Sequence, residues 1–322
     1  MIKPNLYQIY LYKVDQRIVK MMTTGMLLLI IGVSGCSQTG VKTSSQNNKP
    51  KVVATSTIIA NLTEKIAGDE IELKSLLKPG SDPHIYEPVP SDSLALEKAQ
   101  LILYNGYNLE PGIIKLMNAS SLKGKKVAVG EVVKPLKLEK KGAKVPDPHV
   151  WGDVKNVIEM VKVIKEELIK VAPEDKDKFN QNADKLVKEL TELDKLISKE
   201  IATIPPEKRK LVTTHDAFQY YAKAYKIEII GTLIGISTEE QPSAQTVKKL
   251  AENIKKSGVK AIFAETTINP ALIKTLAQEA GVKLAAKELY SDSIGVKGSE
   301  GDSYVKMMES NTKTIVGELG GK

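Results

Sequence analysis

A chain of 322 residues, 42% hydrophobic and 27% charged, is long enough for two ordinary domains and has the composition of a folded protein, not a disordered one. Its formal charge of +8 invites a nucleic-acid reading. The lysines, however, alternate with acids in "KEELIK", "DKDKF" and "DKLVKEL", the pattern of solvated helix faces, and no aromatic-basic stripe accompanies them. Nucleic acid is not an expected partner.

The chain opens with Lys3, Lys13, Arg17 and Lys20 set against Asp15, then the apolar run "MLLLIIGV" (26–33), then "SGC". This is a basic segment, a short apolar segment and a small-residue cleavage site, and the run is too short to span a bilayer as an ordinary helix. The one cysteine of the chain, Cys36, falls at the cleavage point, and "VSGC" (33–36) resembles a bacterial lipobox. Residues 1–35 are thus expected to be a lipoprotein signal peptide. Cys36 becomes the lipidated first residue, holding the protein on the extracytoplasmic face of the cell membrane. The alternative is a plain secretory signal with an incidental cysteine. With no other cysteine the mature chain has no internal disulfide, so packing must stabilise it. Residues 36–50 are polar and aperiodic, a flexible tether.

From residue 51 strands and helices alternate. "KVVATST", "IELKSLL", "QLILYNG" and "KKVAVGE" read as strands with helical segments between them, and residues 132–148 read as a Lys- and Pro-rich connection. A helix is expected at about 153–171, stopped by Pro173. From Glu174 to Thr203 apolar residues recur at Phe179, Ala183, Leu186, Leu190, Leu193, Ile197 and Ile201, in steps of three and four. At 1.5 Å per residue such a helix spans roughly 45 Å, more than one small domain needs. A second strand–helix series begins at "KLVTT" (210–214) and runs to a final helix from about Asp302. The expected fold is α/β: two lobes with parallel β-sheets flanked by helices (51–173 and 204–322), joined by a single long backbone helix (174–203).

No dinucleotide fingerprint, phosphate loop or nucleophile elbow is present. The chemistry rests instead on three histidines, all in loops just past or between predicted strands: His84 in "GSDPHIYEP", His149 in "PDPHVWGD" and His215 in "LVTTHDAF". Ligands of open parallel sheets bind at such strand ends. Proline precedes two of the three, which leaves those backbones less freedom to lose. Neutral imidazole is the commonest metal ligand, with carboxylates filling out such sites. The histidines are scattered over some 130 residues, without a local H-E-x-x-H or C-x-x-C.

Taken together, "GSDPHIYEPVPSD", "ILYNGYNLE", "DPHVWGD", "LVTTHDAFQYYAKAY" and "ELYSDSIG…EGDSYVKMM" resemble the metal-binding lipoproteins (cluster A-I solute-binding proteins) of bacterial manganese and zinc ABC importers. The resemblance runs from about 51 to 319, with the motifs in the family's order. It implies a metal held between two lobes by His84 and His149 from the first, and by His215 and Asp292 from the second. The cargo is one Mn²⁺ or Zn²⁺ per chain, the partner is the ABC transporter permease of the same system, and the chain is a monomer and not an enzyme. "SDSIG" and the absence of histidine from 136–147 point toward manganese, whereas three imidazoles and a carboxylate suit tetrahedral Zn²⁺ by intrinsic affinity. Glu265, ending the strand "VKAIFAE", is expected as a hydrogen-bond partner to a histidine or a plain strand-end carboxylate before a fifth ligand. Trp151 is expected to pack the cleft, and Asp82, Asp147 and Asp216 are as readily turn or helix caps as metal-site groups. Two rival readings are a zinc-dependent hydrolase and a lipid-anchored adhesin with a structural metal.

Overall fold

The computed structural model describes residues 49–140 and 142–321, so Cys36 and the signal segment lie outside the described residues. The first half begins with β1 (Lys51–Ala54), α1 (Thr57–Ala67), β2 (Glu72–Ser75), α2 (Pro90–Lys98), β3 (Leu101–Tyr104), α3 (Pro111–Ala119) and β4 (Lys125–Ala128). The four strands form a parallel sheet in the order β2-β1-β3-β4. β1 and β3 are apolar at every core position because both their faces are covered. Val52, Ala54, Leu101 and Leu103 pack on one side with α1, while Val53 and Ile102 pack on the other with Leu96 and Ile113 of α2 and α3. The edge strands β2 and β4 carry their exposed Glu72, Lys74, Lys125 and Lys126 toward water.

A hairpin follows, β5 (Lys137–Lys140) antiparallel to β6 (Ala143–Pro146), with Gly142 at φ 79° in its turn. The sequence reads there as an irregular connection, because the alternation of Leu136 with Leu138 and of Ala143 with Val145 is too short to stand out among the lysines. Next come α4 (Val154–Val171) and, after one tight turn at Pro173–Asp175, α5 (Lys176–Ala202). Asp153 caps α4 by accepting from the Lys155 amide. The 27 residues of α5 bury Phe179, Ala183, Leu186, Leu190, Leu193, Ile197 and Ile201, the stripe its periodicity predicts. It packs on α4 and, to equal extents, on α1 and on the final helix of the chain (Tyr304–Leu319).

The second half contains β7 (Lys210–Thr213), α6 (Gln219–Tyr225), β8 (Glu228–Thr232), α7 (Ala244–Ser257), β9 (Ala261–Ile262), α8 (Ala271–Ala280), β10 (Lys283–Leu284) and α9 (Tyr304–Leu319). β7 pairs in parallel with β8, β9 with β10, and a parallel bridge between Thr213 and Phe263 joins the two pairs. The resulting order, β8-β7-β9-β10, repeats that of the first sheet. In each half the chain leaves the two central strands in opposite directions, which opens a crevice at their carboxyl ends. One hydrophobic core runs from Val52 through α4 and α5 to Phe263, Tyr304 and Leu319, so the two halves share it. Among the described residues no helix is long and apolar enough to cross a membrane.

Candidate metal centre

Each sequence-predicted histidine sits in a loop fixed by a nearby carboxylate. The two "DPH" stretches make the same local turn: Asp82 Oδ1 accepts from the His84 amide at 2.9 Å, and Asp147 Oδ1 from the His149 amide at 3.0 Å. Asp147 Oδ1 also lies 2.7 Å from His149 Nδ1. His215 follows the carboxyl end of β7, and Glu265 stands two residues past the bridge that joins β7 to its neighbour. Glu265 Oε1 accepts from the His215 amide at 2.8 Å, and Oε2 lies 2.5 Å from His215 Nδ1. The two halves therefore use one device, a buried carboxylate that takes both the main-chain N–H and the ring Nδ1–H of a histidine. This holds Nδ1 outward on a carboxylate and turns Nε2 inward.

The three Nε2 atoms face Asp292, which the loop after β10 carries. His84 Nε2 lies 3.2 Å from His149 Nε2 and 3.8 Å from Asp292 Oδ2. His149 Nε2 is 3.5 Å from Asp292 Oδ1, and His215 Nε2 is 3.1 Å from Asp292 Oδ2. One ligand atom from each of the four residues lies within 4.8 Å of all the others, and all four residues are buried. Donors at 2.0–2.1 Å from a tetrahedral ion are about 3.3 Å apart, so these separations are those of a coordination shell. At 3.2 Å the His84 and His149 Nε2 atoms can share one proton as a hydrogen bond, whose place a metal cation between them would take. Neither Asp292 oxygen, nor His215 Nε2, finds a partner in hydrogen-bond geometry. Buried polar atoms so disposed are costly unless an ion satisfies them.

Burial works against the charge on Asp292, but the three imidazoles around it outweigh burial and hold its carboxyl well below the usual range. Burial likewise works against an imidazolium at His215, yet Glu265 and Asp292 on either side raise it well above its ordinary value. Burial and the nearby Asp292 carboxylate push Asp82 upward.

The structure thus brings His84, His149, His215 and Asp292 together and sets Glu265 against His215. Trp151 lies edge-on to His149 with ring centres 5.4 Å apart, and its Nε1 donates to Ser291 O at 2.9 Å, one residue from Asp292. Asp216 accepts from Gln219 at 2.7 Å, a contact at the start of α6. The contact that sequence reasoning left open is Asp147 with the His149 ring. The doubled "DPH" was its signal, since an aspartate two residues before a histidine can reach its amide. A cavity of about 570 Å³, lined by His84, Tyr104, Tyr107, Glu131, Pro148 and Ser237 among others, adjoins the site on one side.

Residues 52–318 match the family model described as zinc-uptake complex component A, periplasmic. The chain is 37% identical over 297 residues, 90% of its length and 95% of the relative's, to the manganese ABC transporter substrate-binding lipoprotein ScaA of Streptococcus gordonii. It is 36% identical over 294 residues, 89% and 94% of the two chains, to the manganese ABC transporter substrate-binding lipoprotein PsaA of Streptococcus pneumoniae. Among solved structures, the periplasmic zinc-binding protein TroA of Treponema pallidum superposes with a TM-score of 0.80 at 35% identity, covering 84% of this chain and 99% of that one. With a family model spanning both sheets and relatives aligned over nearly their whole length, the chain belongs to the family of the zinc-uptake complex component A.

Proposed function

We propose that this chain is an extracytoplasmic binding protein that holds one divalent ion, manganese or zinc, and delivers it to the permease of an ABC importer. It does so as a binding protein and not an enzyme, as its family does. The observation that carries the reading is the convergence of His84, His149 and His215 Nε2 on an Asp292 carboxylate that is buried without hydrogen-bond donors. In this reading those four residues are the ligands, and Asp147 and Glu265 orient two of the imidazoles. The ion sits between an N-terminal lobe (51–173) and a C-terminal lobe (204–322), with 174–203 as the spine. Cys36 carries the lipid that keeps the monomer at the membrane.

Nitrogen-rich ligation favours Zn²⁺ by intrinsic affinity, and a carboxylate binding through both oxygens raises the coordination number toward what Mn²⁺ prefers. The rival readings, a zinc hydrolase and an adhesin with a structural metal, find no support in the family. Four protein ligands also close a tetrahedral shell, whereas a catalytic zinc keeps an open position.

The test is native mass spectrometry of the metal-stripped mature chain offered equimolar Mn²⁺ and Zn²⁺, followed by release kinetics. One ion per chain is expected, with loss of retention in His149→Ala and in Asp292→Ala. Fast manganese exchange beside near-irreversible zinc capture identifies a manganese carrier. A wild-type chain that retains neither ion sinks the reading.

A further inference from the structure

Next to Asp292 stands a pair of buried hydroxyls that the metal site itself does not use. Ser293 Oγ lies 3.0 Å from Thr57 Oγ1, at the first turn of α1 in the other half of the molecule. Ser293 Oγ also accepts from the Gly80 amide at 2.8 Å and donates to Ile294 O at 3.0 Å. The Ile294 amide in turn donates to Thr57 Oγ1 at 3.1 Å.

The proton assignment in this network is unique. A carbonyl only accepts, so the single Ser293 proton goes to Ile294 O, and the single Thr57 proton goes to Ser293 Oγ. Every donor is then used once, with Ser293 Oγ accepting twice, in a site where Thr57 and Ser293 are both buried. Three of these contacts join the loop that carries Asp292 to the first half. They reach both the start of α1 and Gly80, whose φ of 82° needs glycine and which lies four residues before His84. Asp292 cannot withdraw from His84 and His149 without breaking them.

We infer that Thr57 and Ser293 form an interlobe latch, a pair of positioning residues that hold Asp292 against the first half and so set how slowly the ion is released. The inference rests on the metal-binding reading above. Hydroxyls suit the role, because on opening they exchange a protein partner for water at small net cost, whereas a parted apolar contact leaves exposed hydrocarbon. The latch acts on retention and not on coordination, since neither hydroxyl approaches the ion's ligands as a donor to their inward atoms.

The experiment uses the full mature chain loaded with Zn²⁺ and, separately, Mn²⁺, with release into excess chelator followed by stopped flow. Ser293→Ala and Thr57→Val are each expected to speed release by about five- to tenfold, the scale of one or two lost hydrogen bonds. The double variant should release little faster than either single one, because both remove the same latch. Thr57→Ser, which keeps the hydroxyl, should release at the wild-type rate. The metal-free melting temperature should stay at the wild-type value in all four, whereas a merely structural pair would lower it. Release rates within twofold of wild type in Ser293→Ala and Thr57→Val, or an equal loss of stability with and without metal, overturn the latch. A wild-type chain that holds no ion overturns the proposed function and the latch with it, and that is read before any variant is made.

Discussion

His215 lies between two carboxylates, and on the proposed ligation its proton is what an arriving cation must displace. Burial alone would lower the imidazole's pKa, but Glu265 and Asp292 raise it well above 6.5. A folded-state pKa raised above the unfolded one contributes stability that is fully present below about 6.5 and is lost as pH rises through the folded value. Asp292 has the opposite sign: its lowered pKa contributes stability present above about 3.8 and lost as pH falls through its folded value. Both shifts favour a charged His215–Asp292 pair in the metal-free protein, and on the proposed ligation an arriving ion displaces that proton. Calorimetric titration near pH 7 in two buffers of different ionisation enthalpy is expected to show release of about one proton per ion. Glu265→Gln, which keeps an acceptor but removes the charge, should cut that release and weaken binding by about 10- to 100-fold. Equal heats in the two buffers would show that His215 is already neutral and that Glu265 plays no such part.

At the scale of elements, the loops at the strand ends are held by contacts that reach well beyond the ligands. Glu110, ahead of α3, accepts from Thr55 Oγ1 and from the Asn105 amide, each at 2.7 Å, tying together the ends of β1 and β3. Asn105 Nδ2 in turn donates to Pro148 O at 2.9 Å, directly before His149. Burial pushes the Glu110 carboxyl up to about 7, the two accepted hydrogen bonds offsetting only part of that cost. Its contribution to stability is fully present below about 4.5 and falls away as pH rises through about 7. Glu110→Gln keeps both accepted bonds and cannot ionise. Relative to wild type it should gain roughly 2–3 kcal/mol between pH 4.5 and pH 8 in the metal-free chain, read from urea midpoints. Parallel pH profiles for the two chains would show that the carboxyl is charged in the fold throughout. Asn105 and Glu110 both fall within "ILYNGYNLE", but the sequence assigned neither a role, because their roles depend on which strand ends become neighbours. What periodicity reports well is burial along a single element, as with the seven apolar positions of α5. It is silent on β5 and β6, which bury little, and on β10, whose ladder is two residues long, whereas β9 lies within the expected strand "VKAIFAE". The histidines were legible for a different reason. They are rare, and two of the three loops that hold them break regular structure with proline.

Over the whole molecule, the shared core and the long α5 place the metal in a protein that does not depend on it for folding. The four metal-centre residues come from loops on both halves, while the apolar core that joins the halves is built chiefly from the strands and helices. A structural metal would sit where the core is too small to hold the chain together, as in zinc fingers. Here the apolar interior suffices, and the ion adds only the stability that binding to the native state confers. That increment follows mass action, about 4 kcal/mol at a free metal concentration a thousandfold above Kd. For a chain of more than 250 residues each kcal/mol raises Tm by about 2 °C, so saturating Mn²⁺ or Zn²⁺ should raise the melting temperature by about 6–8 °C. Calorimetry should show one cooperative transition for the metal-free chain and one for the loaded chain. Excess chelator should return the loaded protein to the lower transition with its near-ultraviolet circular dichroism intact. Loss of that transition on chelation would mean that the fold needs the ion, and would reassign the centre from cargo to scaffold.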